Sequence, residues 1–90
     1  MSEDLTSLKN IGPTAAEMLR EVGIGTPEAL REAGAPLAYL ILRHRFGKAR
    51  VNALFLFAME GALQGRHYNA FSPEEKAALC EAVAGDLEVG

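Results

Sequence analysis

The sequence predicts an all-α fold: a compact bundle of five or six short helices forming one domain. Three observations carry that expectation. Apolar residues recur at helical rather than alternating spacing in nearly every segment. Gly and Pro punctuate the chain at regular intervals. Ninety residues suffice for one hydrophobic core and leave no material for a second. With 49% hydrophobic and 23% charged residues, the chain lies in the globular regime, far from the composition of disordered segments. The domain is expected to span residues 1–90, with its core at about 5–84 and a frayed tail over 85–90.

The elements follow in order. Leu5 and Leu8 share a face of a first short helix that stops near Asn10. A second helix follows Gly12-Pro13 and runs to about Val22, with Ala15, Met18, Leu19 and Val22 inward and Gly23 as its left-handed stop. Thr26-Pro27-Glu28 supplies an N-cap, a proline in the first turn and an acid near the positive end of the helix dipole, opening a third helix that ends at Gly34. Pro36 opens a fourth, through Leu37, Leu40, Ile41 and Leu42 into a basic block, with Gly47 as its end. A fifth, from about Lys48 to Gln64, is apolar on almost every side. Only a narrow polar stripe through Lys48, Asn52 and Glu60 relieves it, so this helix is expected to be central or to cover a second apolar surface. Ser72-Pro73-Glu74-Glu75 is a capping box for a last helix ending near Gly85.

Charge and cysteine content narrow the function. The net charge of −3 weighs against a general nucleic-acid binder, because Lys and Arg supply most non-specific affinity for phosphates. Its distribution is uneven: residues 31–50 carry five bases against one acid, and residues 51–90 carry six acids against two bases. Cys80 has no partner for an intramolecular disulfide and is expected to be a small buried hydrophobe, which suits a reducing cytoplasm. The acidic Met1-Ser2-Glu3-Asp4 is unlike a secretory leader, and the apolar run Leu54–Met59 is too short for a bilayer. His44 and His67 stand apart without a nearby Cys or paired acids, so neither a metal site nor a general base is expected. No catalytic residue, cofactor or small-molecule substrate is indicated.

Three segments are candidates for binding. Leu8-Lys9-Asn10-Ile11-Gly12-Pro13-Thr14 reads as a tight turn between two helices and resembles the helix-hairpin-helix motif. In that motif the hairpin amides and the following helix dipole hold a phosphate, which implies Asn10, Gly12 and Thr14 as N–H donors and Lys9 as a nearby charge. Asn10 stands where the motif often has its first glycine. The same turn also serves simply to build an αα corner. The block Arg43, Arg45, Lys48 and Arg50, with His44 inside it, suits phosphates or an acidic protein surface, or else a solvated helix end that complements the dipole. Arg66, His67 and Tyr68, in a loop beside Phe55 and Phe57 of the apolar helix, form a candidate interaction surface. The structural alternative is that Tyr68 and Phe71 pack back on that helix while Arg66 or His67 ties off its last carbonyls.

Taken together, Leu8 to Gly12, Leu19 to Gly23 with Thr26 and Leu30, Glu60-Gly61-Ala62-Leu63-Gln64-Gly65-Arg66-His67-Tyr68 and Ser72-Pro73-Glu74-Glu75-Lys76 resemble the carboxy-terminal domain of the TfoX (Sxy) regulators of bacterial competence. The resemblance covers about residues 5–80. It implies a role in switching on DNA-uptake genes beside another transcription regulator, and no catalytic residue. The family's preceding α/β domain is not among these ninety residues, and Tyr68 stands where a tryptophan is expected. If that domain normally covers the apolar helix, the chain is expected to self-associate, most simply as a two-fold dimer. A protein partner or a second copy is thus the favoured occupant, with sequence-independent DNA binding through the hairpin and the block at 43–50 as the alternative.

Overall fold

In the computed structural model of the chain, which describes residues 4–89 and side chains through residue 84, each of the four prolines stands in the first turn of a helix. The helices are α1 (Pro13–Glu21), α2 (Pro27–Ala33), α3 (Ala35–Phe46), α4 (Ala53–Gln64) and α5 (Pro73–Val89), with 3-10 turns at Leu5–Ser7 and Tyr68–Ala70. No strand occurs among the described residues. The fold is all-α, as the periodicity requires.

Local chemistry sets the boundaries. Thr26 Oγ1 accepts from Ala29 N–H at 3.1 Å, and Asn52 Oδ1 accepts from Leu54 N–H at 3.0 Å. The capping box closes both ways: Glu75 N–H donates to Ser72 Oγ at 3.2 Å, and Ser72 N–H donates to Glu75 Oε1 at 2.9 Å. Gly23, Gly34, Gly47 and Gly65 follow the first four α-helices at positive φ, as the punctuation implies.

α3 is the hub and packs against α1, α2, α4 and α5. It buries Ala35, Ala38, Tyr39 and Leu42; Leu37 is 51% exposed, and Leu40 and Ile41 are only half-buried. α4 is central too, burying Leu56, Met59, Gly61 and Ala62. Leu5, Leu19 and Leu30 complete the interior from the other elements.

Several expectations are corrected. The element before the hairpin is a single 3-10 turn. On α1 the innermost small residue is Ala16, while Ala15 and Val22 are half-buried. α4 begins at Ala53, because Val51 N–H and Arg50 N–H turn back onto the Gly47 carbonyl and Asn52 then caps a fresh helix. Lys48 and Arg50 therefore lie in a connection, and the polar stripe through Lys48 and Asn52 does not form. α5 does not stop at Gly85 but continues to Val89; a glycine inside a helix costs only about 1 kcal/mol relative to alanine and need not end it. Cys80 is exposed, because of residues 73–84 on α5 only Val83 is fully buried.

Candidate functional site

The hairpin is built around Asn10, the one non-glycine residue at positive φ (73°) among the described residues. Asparagine tolerates this region better than most side chains, so the glycine-like corner is kept. Its side chain turns into the protein. Nδ2 donates to the carbonyls of Arg66 (2.8 Å) and Ala58 (3.3 Å), and Oδ1 accepts from Tyr68 N–H (3.3 Å). Ile11 is buried, whereas Lys9, Gly12 and Thr14 are exposed. No backbone carbonyl among the described residues accepts from the amides of Asn10, Gly12 or Thr14.

The loop after α4 is a clamp. Gly65 takes a left-handed φ of 71°, and Arg66 N–H donates to the Gly61 carbonyl at 2.8 Å, which closes the helix. The Arg66 guanidinium lies over the Phe71 ring, 4.4 Å from its centroid, and donates to the Ala70 carbonyl (2.8 Å) and to both Glu75 oxygens (2.8 and 3.1 Å). Hydrogen bonds from Arg66, then from the Ser72 backbone, hold the Glu75 carboxyl down to about 2. Arg66 is therefore committed internally. His67 remains exposed, stacked on the half-buried Tyr68 with centroids 4.4 Å apart, and its Nδ1 accepts from Asn69 N–H. Phe71 is buried, so the packing alternative describes most of this loop. Phe55 and Phe57 are half-buried against the core, and Lys76 Nζ lies 5.7 Å from the Phe57 centroid.

The basic block divides in two. Arg43 donates to Tyr39 Oη at 2.9 Å and to the Val51 carbonyl at 3.4 Å, bracing α3 against the chain that follows it. Arg45 and Arg50 both approach the Phe46 ring, 5.1 and 5.2 Å from its centroid. Arg45 also reaches Glu21 at 3.8 Å, while Lys48 is exposed in the connection after α3. Between α1 and the end of α3 runs an open groove of about 480 Å³. It is lined by Thr14, Glu17, Met18, Arg20 and Glu21 from α1 and by Phe46 and Arg50 from the end of α3 and the connection after it. The fold thus brings the start of the hairpin helix and one of the outer basic residues, Arg50, to one depression. No group of three or more His, Cys, Asp or Glu suited to a metal occurs among the described residues, and none of their helices is long and apolar enough to cross a membrane.

The model of the TfoX C-terminal domain family matches residues 1–83 of this chain. The chain belongs to the TfoX C-terminal domain family. No curated protein matches it in sequence. Among solved structures, an uncharacterised protein from Listeria monocytogenes in a triclinic crystal form is 30% identical, with a TM-score of 0.83 over 96% of this chain and 94% of that one. A Listeria monocytogenes protein of unknown function in a tetragonal form is also 30% identical, with a TM-score of 0.80 over 90% of this chain and 98% of that one.

In this TfoX C-terminal domain the segments that carry the family resemblance meet each other. The hairpin's Asn10 closes on the Glu60–Tyr68 segment, and Arg66 of that segment closes on Glu75 of the capping box. Sequence reasoning missed the groove, with Met18 and Phe46 as its apolar lining and Glu17 and Glu21 on its α1 side. The one available signal was an aromatic, Phe46, set between Arg45 and Arg50 in an otherwise basic stretch.

Proposed function

We propose that this domain is a non-enzymatic regulatory binding module of the competence-regulator type, acting in the cytoplasm through contact with a transcription regulator or with a second copy of itself. The observation that carries the choice of a protein partner is how the basic block is used. Arg43 is consumed in bracing α3, and Arg45 and Arg50 lean on Phe46 with Glu21 close by. This leaves an apolar and mixed-charge groove rather than a uniformly positive track, which suits a protein surface better than a phosphate backbone. Family membership supports the regulatory part of the reading.

The DNA reading has one specific observation in its favour: Thr14, at the start of α1, and Arg50 line the same groove. There, free hairpin amides and guanidinium groups would hold phosphates without reading bases. Fluorescence anisotropy of a labelled duplex at low and near-physiological salt, with K9E and R45E beside the wild type, separates the two. The protein reading expects no binding at near-physiological salt. Binding that falls steeply with salt and is lost in one of the variants would replace it with the DNA reading. Transcript levels of DNA-uptake genes in the native host, with and without the chain, test the regulatory role.

A further inference from the structure

Two surfaces on this chain carry charges of opposite sign that have no ion-pair partner among the described residues. One is the groove between α1 and the end of α3, lined by Met18 and Phe46 with Arg50 beside them and Glu17, Arg20 and Glu21 on its α1 side; Arg45 approaches the Phe46 ring, and Lys48 is exposed in the connection that leads to Arg50. Among the described residues, Lys48 and Arg50 carry no ion pair. The other surface is on α5. That helix meets its own chain through Lys76, Leu79 and Val83, a row at spacings of three and four. The opposite face holds Glu74, Ala77, Ala78, Glu81 and Ala82, all exposed. Neither Glu74 nor Glu81 has an ion-pair partner among the described residues. These acids are two turns apart, roughly 10 Å along the axis, with only methyl groups between them to limit close approach.

We propose that the groove receives the acidic face of α5 from a second copy of the chain. This rests on the protein-contact reading above and narrows it to a partner and a surface. The alanines would lie on Met18 and Phe46, and Glu74 and Glu81 would meet Arg45, Lys48 and Arg50. Glu17 and Glu21 repel acids from the α1 side, which fixes the side on which the incoming acids lie. Each copy carries both surfaces, so a reciprocal pair closes, whereas an unreciprocated contact would propagate into chains. Exposed charges dominate this contact, so salt weakens it.

The test is molar mass by light scattering behind a sizing column, at high protein concentration and at low and high salt. R50E and E81R are examined separately and then mixed, with circular dichroism confirming that each is folded. The wild type should assemble at low salt and dissociate at high salt, and each variant alone should associate at least about tenfold more weakly, because each brings like charges together. The mixture should recover assembly, because the R50E groove then faces the E81R helix while the remaining contact is native. A wild-type monomer at low salt, assembly insensitive to both reversals, or a mixture that stays monomeric each overturns the self-contact. Transcript levels separate this from the broader reading: a monomer that still changes expression of DNA-uptake genes removes the self-contact and leaves a different protein partner in place.

Discussion

The side-chain amide of Asn10 closes over Gly61: a Cβ added at position 61 would stand 2.6 Å from Asn10 Nδ2 and 2.5 Å from the Arg66 carbonyl oxygen. Position 61 must therefore lack a side chain so that the hairpin can be tied to the end of α4. Gly-to-Ala inside a helix ordinarily stabilises by about 1 kcal/mol. Here G61A should instead destabilise by about 1–3 kcal/mol, the usual cost of forcing atoms into filled space. Thermal unfolding checks this, since each kcal/mol moves the midpoint by roughly 4–8 °C in a domain of this size.

The partner side of that tether has its own signature. N10A loses three hydrogen bonds and leaves alanine in a left-handed backbone, whereas N10G loses the same bonds but suits the φ of 73°. Both should destabilise, and N10A should be the worse by about 1 kcal/mol. Denaturant midpoints of the two variants measure the difference; equal midpoints would show that the backbone angle carries no cost.

Acid should expose the Arg66–Glu75 contact. The folded carboxyl of Glu75 titrates near 2, below the value of about 4.3 expected in the unfolded chain. Its contribution to stability is present above the unfolded value and is lost as the pH falls toward 2. E75Q should therefore show a smaller fall in melting temperature between pH 5 and pH 2 than the wild type. Because the pair is exposed, the difference should be modest.

The basic block should separate by role. R43A removes the brace to Tyr39 and Val51 and should cost about 1–3 kcal/mol. K48A, at an exposed position in the connection, should stay within about 0.5 kcal/mol of the wild type. Equilibrium unfolding of the two variants decides this, and similar losses would mean that Arg43 is no brace.

Cys80 should react with a thiol reagent in the native protein at a rate close to that of the unfolded chain, because it lies on the exposed side of α5. Strong protection from the reagent would place it in an interface or in the core.

The sequence by itself determined the helices and most of their ends, because those depend on neighbouring residues. Thr26, the Ser72–Glu75 box and the prolines fix starts, and Gly23, Gly34, Gly47 and Gly65 fix stops through local hydrogen bonds and backbone angles. Asn52 was local chemistry as well, but the apolar run beyond it masked the cap and shifted the expected start of α4. The motifs that mark the family were legible too, as were the candidate binding residues as residue types. Only the tertiary structure decided what they do to one another. Asn10 and Arg66 read as binding groups until long-range packing turned one onto Arg66, Ala58 and Tyr68 and the other onto Phe71 and Glu75. Arg43 reads like its basic neighbours until Tyr39 and the carbonyl of Val51 take its donors. The groove and the open face of α5 follow from the relative placement of whole helices, which depends on core packing between residues distant in sequence and leaves no periodic trace along the chain.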